Sequence, residues 1–187
     1  MFKGTKVLSI LLLTGLFAAP TWAQEATPQV QPPLAPAEKF DVKDAESIDA
    51  VIKTLYGVIS GPKGPRNWDR FLGLMLPEAR LVVTGETMPG RYRPVTPQGY
   101  VERSTEIFKD MNFWETEIHR KTERYGNIAH VFSTYESRFT SPDSAEPDMR
   151  GINSIQLYND GVRWWIVSIY WQSESDRHPI PEKYLSD

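Results

Sequence analysis

Glu117 and His119 are the pair of side chains in this sequence best suited to chemistry. They lie two residues apart in a stretch with the alternation of a β-strand, so both are predicted to point to one face of that strand. A carboxylate beside an imidazole can take a proton from a substrate and return it. The pair therefore suggests acid–base catalysis, provided that its face of the strand borders a pocket.

The three histidines do not suggest a metal site. The chain contains His119, His130 and His178 and no cysteine, and no third ligand lies at a spacing that would complete a set with the first two. A glycine-rich phosphate loop and a G-x-S-x-G nucleophile motif are also missing from the sequence. We therefore expect no metal and no cofactor, and interpret the histidines as structural.

The first half of the domain has the periodicity of helices. Three helices are predicted, with N-caps at Asp44, Asn67 and Thr96, and the last cap is followed by a proline at the first helical position. Residues 61–65, Gly-Pro-Lys-Gly-Pro, end the first helix. A β-branched run at residues 80–84 predicts a short strand between the second and third helices.

The second half is predicted to be sheet. Four strands are expected at residues 113–124, 128–139, 150–158 and 163–172. Turn signals join them in pairs, at Gly126 and Asn127 for the first hairpin and at Asp160 and Gly161 for the second. Helices followed by long antiparallel strands predict an α+β fold.

The order of these elements resembles the nuclear transport factor 2-like (NTF2-like) superfamily, a cone-shaped fold shared with steroid isomerases, SnoaL-like proteins and polyketide cyclases. The resemblance covers about residues 44–171. It rests on NWDRF at 67–71 leading into PEARLV at 77–82, on GNIAHV at 126–131 and on DGVRWWIV at 160–167. It implies three N-terminal helices packed on a strongly curved antiparallel sheet, a small-molecule pocket, and often a dimer paired through the sheet. The fold hosts enzymes, binding modules and scaffolds, so it does not decide function.

Strand alternation, oriented by the resemblance, separates the side chains that face the pocket from those that face outward. The inward set is Ala129, Val131, Ser133, Tyr135, Ser137, Asn153, Ile155, Leu157, Val167, Ile169 and Trp171. The outward set is Phe132, Thr134, Tyr158, Ile166, Ser168 and Tyr170, and its apolar character suggests a homodimer. The ligand-binding candidates are Tyr56, Trp68, Tyr100, Tyr135, Asn153 and Trp171. Alternatively, these aromatic side chains simply fill the core.

The register of the first hairpin decides where Glu117 and His119 lie. A two-residue loop pairs His119 with Thr134 and Glu123 with His130, which places both histidines on the outer face. An odd loop length would place Glu117 and His119 inside with Tyr135. Two-residue loops are the commoner kind, so we favour the outer placement.

Similarity to the steroid isomerases implies two catalytic groups, of which the sequence offers one. Tyr56 on the first helix lies near the position expected for an oxyanion-stabilising tyrosine. The strand at residues 80–84 has no carboxylate to carry the proton. Glu117 and His119 remain the alternative, for an enzyme of the lyase or isomerase kind.

The N-terminus predicts export. Residues 1–23 have the basic start, apolar run and small final residue of a cleavable signal peptide, and residues 24–39 form a proline-rich linker that we expect to be disordered. The NTF2-like domain is then residues 40–172, followed by an extended tail at 173–187. The formal charge of −3 becomes −5 without Lys3 and Lys6, because residues 1–23 contain no acid. This acidity argues against nucleic acid or an anionic membrane as partner.

These observations favour a periplasmic or secreted, dimeric domain that holds a small apolar or aromatic molecule. No stable membrane anchor is expected after cleavage of the signal, because the apolar run is shorter than the ~20 residues that span a bilayer. We rank a binding domain first, an enzyme that uses Glu117 and His119 second, and a purely structural module third.

Overall fold

The computed structural model describes residues 39–84 and 94–186. The predicted signal peptide and all of the linker except its last residue lie outside the described residues. The elements in chain order are a 3-10 helix at Val42–Ala45, α1 (Ile48–Ile59), α2 (Trp68–Gly73), β1 (Met75–Thr84), α3 (Pro97–Phe108), β2 (Trp114–Tyr125), β3 (Ile128–Arg138), β4 (Met149–Asn159), β5 (Trp164–Ser173) and a 3-10 helix at Glu182–Tyr184. The predicted α+β class is confirmed.

Two of the three predicted helix caps are correct. The side chains of Asn67 and Thr96 accept hydrogen bonds from the first turns of α2 and α3. The prediction for Asp44 is wrong, because Ser47 caps α1. Asp44 lies instead in the preceding 3-10 helix, where its carboxylate accepts two hydrogen bonds from Arg70, at 2.7 and 2.5 Å. The Arg70 guanidinium lowers the pKa of Asp44 and ties the start of the domain to α2.

The five strands form one mixed sheet in the order β1-β5-β4-β3-β2. Strands β2 to β5 pair antiparallel, whereas β1 pairs parallel with β5. The expectation of a wholly antiparallel sheet is therefore wrong at this edge. The chain leaves β1 through α3 rather than through a hairpin, so β1 is not required to pair with the strand that follows it. β1 also begins five residues before the predicted start, and its register is irregular between Met75 and Arg80, the part that contains Pro77.

Two β-bulges interrupt the alternation of the sheet. In β2, Glu117 pairs with Tyr135 and His119 with Thr134, which leaves Ile118 as the extra residue. In β5 the register shifts in the same way at Val167, between the partners of Gln156 and Leu157. A bulge reverses which face the following residues occupy. The predictions that Val167 points inward and Ile166 outward are therefore wrong, since Ile166 is fully buried and Val167 is exposed.

The core lies between the helices and the inner face of the sheet. The side chains predicted to point inward from β3 and β4 are buried, as alternation requires: Ala129, Val131, Ser133, Tyr135, Ser137, Asn153, Ile155 and Leu157. From the helical side, Ile52, Leu55 and Phe71 pack against them. No helix in residues 39–84 or 94–186 is long and apolar enough to cross a membrane.

The C-terminal segment folds back on the outer face of the same chain's sheet. The Thr134 hydroxyl donates a 2.6 Å hydrogen bond to the carbonyl of Tyr184, and the rings of Phe132 and Tyr184 lie 4.9 Å apart. Thr134 is fully buried as a result, although it points outward. Glu174 accepts a 2.9 Å hydrogen bond from Arg150 and so holds the start of this segment on β4. Part of the outer face is thus covered without a partner chain.

Candidate functional site

A cavity of about 110 Å³ lies between the helices and the inner face of the sheet. Aliphatic side chains from α1, β1 and β5 form part of its wall. The rest consists of four aromatic and two polar side chains, Phe71, Tyr100, Phe113, Trp171, Glu115 and Asn153. An apolar hollow with few polar groups is the usual construction of a small-molecule site.

The aromatic wall is built from ring contacts between α2, α3 and β5. Phe71 stacks on Tyr100 with ring centroids 5.1 Å apart, and Tyr100 and Trp171 form an edge-to-face pair with centroids 6.4 Å apart. Trp68 packs edge-on against both Phe71 and Tyr100, at 5.7 and 6.4 Å. Offset and edge-on aromatic pairs add about 0.5–1.5 kcal/mol beyond their buried area, which favours a wall with fixed ring positions.

Glu115 is the acid of this cavity. Its backbone is fixed by Ser60, whose hydroxyl accepts from the Glu115 amide at 2.9 Å and donates to the Glu115 carbonyl at 3.1 Å. Its carboxylate lies at the half-buried cavity wall and accepts one hydrogen bond from a described residue, from Asn153 Nδ2 at 3.2 Å. Removal of water from the carboxylate raises the pKa of Glu115 to about 7, against the smaller opposing effect of the Asn153 bond.

A chain of hydrogen bonds runs from the cavity to the surface. Asn153 Nδ2 also donates to the Tyr56 hydroxyl at 3.0 Å, and that hydroxyl lies 2.7 Å from Ser133 Oγ. Ser133 donates to Glu117 at 2.6 Å, and Glu117 forms a 2.9 Å ion pair with Arg120. Four elements, α1, β2, β3 and β4, contribute to this chain.

The ion pair fixes the direction of these hydrogen bonds. An ionised Glu117 only accepts, so the single hydroxyl hydrogen of Ser133 is committed to it. Tyr56 must therefore donate its own hydrogen to Ser133. This leaves Tyr56 with no hydrogen to offer a guest in the cavity, in contrast to the oxyanion-stabilising role that steroid isomerases suggested for it.

Three tyrosines surround Glu115 and respond to it. Burial raises the pKa of Tyr56 and, to about 12, the pKa values of Tyr100 and Tyr135. A smaller part of each rise comes from the negative charge of Glu115, which places all three hydroxyls in its electrostatic field. These hydroxyls stay neutral over the whole pH range in which Glu115 titrates.

Comparison with known proteins identifies the fold. No family model matches the chain, and no curated protein sequence matches it. A protein of unknown function from Mycobacterium tuberculosis superposes with a TM-score of 0.55 at 12% identity, over 72% of this chain and 75% of that one. An uncharacterised protein with a cystatin-like fold from Caulobacter vibrioides superposes with a TM-score of 0.53 at 13% identity, over 70% of this chain and 89% of that one. An NTF2-like protein from Cytophaga hutchinsonii superposes with a TM-score of 0.51 at 10% identity, over 68% of this chain and 99% of that one.

This chain has an NTF2-like fold. The resemblance inferred from its motifs is thereby confirmed. Because the sequence identities are low, the likeness shows the fold and not the function.

The NTF2-like domain brings together some of the predicted ligand residues and not others. Tyr100, Asn153 and Trp171 line the cavity. Tyr56 reaches it only through Asn153, and Trp68 lies behind the wall. Tyr135 is buried beside β4 and β5, with its hydroxyl 3.4 Å from Ser173 Oγ.

Glu117 and His119 do not form an acid–base pair on one face of the NTF2-like domain. The hairpin has the favoured two-residue loop, and it pairs His119 with Thr134 and Glu123 with His130, as predicted. The bulge at Ile118 then places Glu117 on the opposite face, beside Tyr135. The expectation that the two side chains share a face is therefore wrong. His130 faces outward as well, with Nε2 3.0 Å from Ser154 Oγ, and the described residues contain no cluster of metal-ligating side chains.

Sequence reasoning overlooked Glu115. A signal for it was present, because Glu115 precedes Glu117 by two residues and so shares its face of β2. His119 lies on the outer face, and the acid that borders the cavity is Glu115. The side chains that line the cavity beside Glu115 come from other helices and strands, so local sequence does not reveal its loss of water.

Proposed function

We propose that this NTF2-like domain binds a small, largely apolar molecule in the cavity, with Glu115 and Asn153 as its hydrogen-bonding partners. The observation that carries the proposal is the position of a desolvated carboxylate at the wall of an aromatic hollow. A partly desolvated acid that takes one hydrogen bond from the described residues is costly to the fold, and a bound polar group compensates for it.

The volume of the cavity limits its guest. A cavity of about 150 Å³ holds one benzene molecule, so about 110 Å³ holds roughly four or five non-hydrogen atoms. The guest is a compound of that size or one portion of a larger molecule. The rigid aromatic wall favours compact, branched or cyclic shapes over long chains.

Small compounds of this size are expected to raise the melting temperature of the protein. A ligand at 100 times its Kd adds about 2.7 kcal/mol to the free energy of unfolding, which differential scanning fluorimetry detects readily. Ile169→Trp places a larger side chain in the cavity and should abolish the shift. Val162→Ala, at an exposed site in the β4–β5 turn, is the control and should respond as wild type does. A panel that leaves the wild-type melting temperature unchanged contradicts the proposal.

A second candidate function is proton transfer within the same cavity. A carboxylate with a pKa of about 7 is suited to act as a general base at neutral pH. This assigns the base of a lyase or isomerase to Glu115 instead of Glu117 and His119. Any turnover found for a small carbonyl or hydroxyl substrate should then be lost in Glu115→Gln and retained in His119→Gln.

We also propose a homodimer that pairs through the outer face of the sheet. Tyr158, Val167 and Tyr170 are 41%, 36% and 38% exposed on that face, which leaves an apolar surface beside the area covered by the C-terminal segment. The wild-type protein should sediment at twice its chain mass, and Val167→Asp should reduce it to a monomer. Val162→Asp is the control, because Val162 is 73% exposed in the β4–β5 turn. A monomeric wild type at micromolar concentration contradicts the proposal.

The remaining features of the proposal come from the sequence and the fold. We propose that residues 1–23 direct export and are removed, which N-terminal sequencing of the mature protein tests by finding Gln24 first. We further propose that three N-terminal helices and a strongly curved sheet enclose the cavity in the cone shape implied by the NTF2-like fold. Export of a cysteine-free domain is consistent with a fold that depends on its core instead of on disulfides.

A further inference from the structure

Glu115 has no positively charged neighbour among the described residues. Its carboxylate contacts Asn153, and the burial of its surroundings alone disfavours its charge. Glu117, on the same face of β2, is compensated by Arg120 at 2.9 Å. Arg120 is in turn shared with Asp49, at 2.7 Å, so its charge is already neutralised. The fold therefore provides a cation for the acid outside the cavity and none for the acid inside it.

The groups that face Glu115 from the surrounding elements are neutral or acidic. The titratable ones are Tyr56 from α1, Tyr100 from α3, Tyr135 from β3 and Glu117 from β2. The neighbour from β4 is the Asn153 amide. A positive charge within the cavity would have to be supplied by a ligand.

Aromatic rings form the rest of the surroundings that a cation needs. Tyr100 and Trp171 meet edge to face, and Phe113 completes this part of the wall. The face of an aromatic ring attracts a cation electrostatically, and the attraction is stronger when water is excluded. A carboxylate together with several rings is the combination that recognises organic ammonium groups.

We propose that the ligand of this cavity is a small organic cation, an alkylammonium whose charged nitrogen pairs with Glu115 and whose alkyl groups contact Tyr100, Phe113 and Trp171. This inference rests on the proposed binding function and names its ligand class. The half-buried carboxylate has already lost part of its hydration in the folded protein, so its pairing with an ammonium costs less than it would for a fully hydrated acid. Asn153 holds the carboxylate in place for the incoming cation.

Three compounds of one shape and different charge test the inference: tert-butylammonium, tert-butanol and pivalate. tert-Butylammonium and tert-butanol have five non-hydrogen atoms each and pivalate has seven, and Kd is measured by NMR titration of the tert-butyl signal of each compound at pH 6 and pH 8. We expect tert-butylammonium to bind at least about tenfold more tightly than tert-butanol at pH 8. Its affinity should fall about tenfold at pH 6, where most of Glu115 is protonated. Glu115→Gln should remove both the preference and the pH dependence, and Glu106→Gln, at an exposed site, should leave them unchanged.

The outcomes separate this inference from the function on which it rests. If tert-butanol binds as well as tert-butylammonium, the proposed binding function stands and the inference that the ligand is a cation is wrong. If pivalate binds best, the charge preference is opposite to the inference and overturns it. If none of the three binds at either pH, the binding function fails as well. Trp171→Leu should reduce the preference for the ammonium over the alcohol, and an unchanged preference contradicts the aromatic contribution.

Discussion

Glu115→Gln is expected to stabilise the protein at pH 8 by as much as about 3 kcal/mol. The folded state raises the pKa of Glu115 from 4.5 to about 7, because burial disfavours the charged carboxylate. Each pKa unit corresponds to about 1.4 kcal/mol, and the part of the side chain that faces the cavity makes the figure an upper value. Glutamine keeps the shape and the acceptor oxygen for Asn153 without the charge.

The sign of the pH dependence follows from linkage. Between pH 4.5 and about 7 the folded state binds more protons at Glu115 than the unfolded state does. The contribution of Glu115 to stability is complete below pH 4.5 and is lost as the pH rises to about 7. Urea denaturation should therefore show the variant and wild type close together near pH 4.5 and furthest apart at pH 8.

The exposed Glu106 provides the control for this effect. Its side chain is 70% exposed and pairs with Lys109, the C-cap of α3, so Glu106→Gln should change stability by less than about 0.5 kcal/mol at any pH. A Glu115→Gln variant that is less stable than wild type at pH 8 would show that the carboxylate is charged and compensated in the folded protein. That result would remove the basis of both proposed activities of the cavity.

Gly151→Ala is expected to destabilise the protein by about 2–4 kcal/mol. A Cβ at Gly151 would lie 2.5 Å from the carbonyl oxygen of Gln172 and closer still to the hydroxyl of Tyr135. Tyr135 is buried and pairs with Gly151 across β3 and β4, so its ring cannot move away without opening the core. Overpacking of a dense interior typically costs about 1–3 kcal/mol, and the clash with backbone adds to it.

Gly57→Ala is the matched control for the glycine substitution. Nothing lies within 4 Å of a Cβ at this position of α1, and alanine is the better helix former by about 1 kcal/mol. Urea denaturation should show Gly57→Ala as stable as wild type or more so. If Gly151→Ala is equally harmless, Tyr135 is not fixed beneath β4 as the structure has it.

The elements of this domain were predictable from sequence because their signals are local. Proline after Thr96 and the side chain of Asn67 define helix starts within a few residues, and Gly126-Asn127 defines the two-residue loop that sets the first hairpin register. The regular alternation of β3 predicted its buried side chains for the same reason. Asp44 shows the limit, because two suitable caps lie three residues apart and the contacts of Asp44 with Asp41, Thr54 and Arg70 hold it in the preceding 3-10 helix.

The sequence by itself determined the α+β class, the hairpin turns and the inner faces of β3 and β4, since each depends on neighbouring residues and a strict period. Only the tertiary structure decided the two bulges, at Ile118 and Val167, and the parallel pairing of β1 with β5. Bulges follow from how whole strands align, so they reversed predictions that rested on alternation. The raised pKa of Glu115 also depends on the tertiary structure, because the residues that line the cavity around it come from helices and strands far apart in the chain.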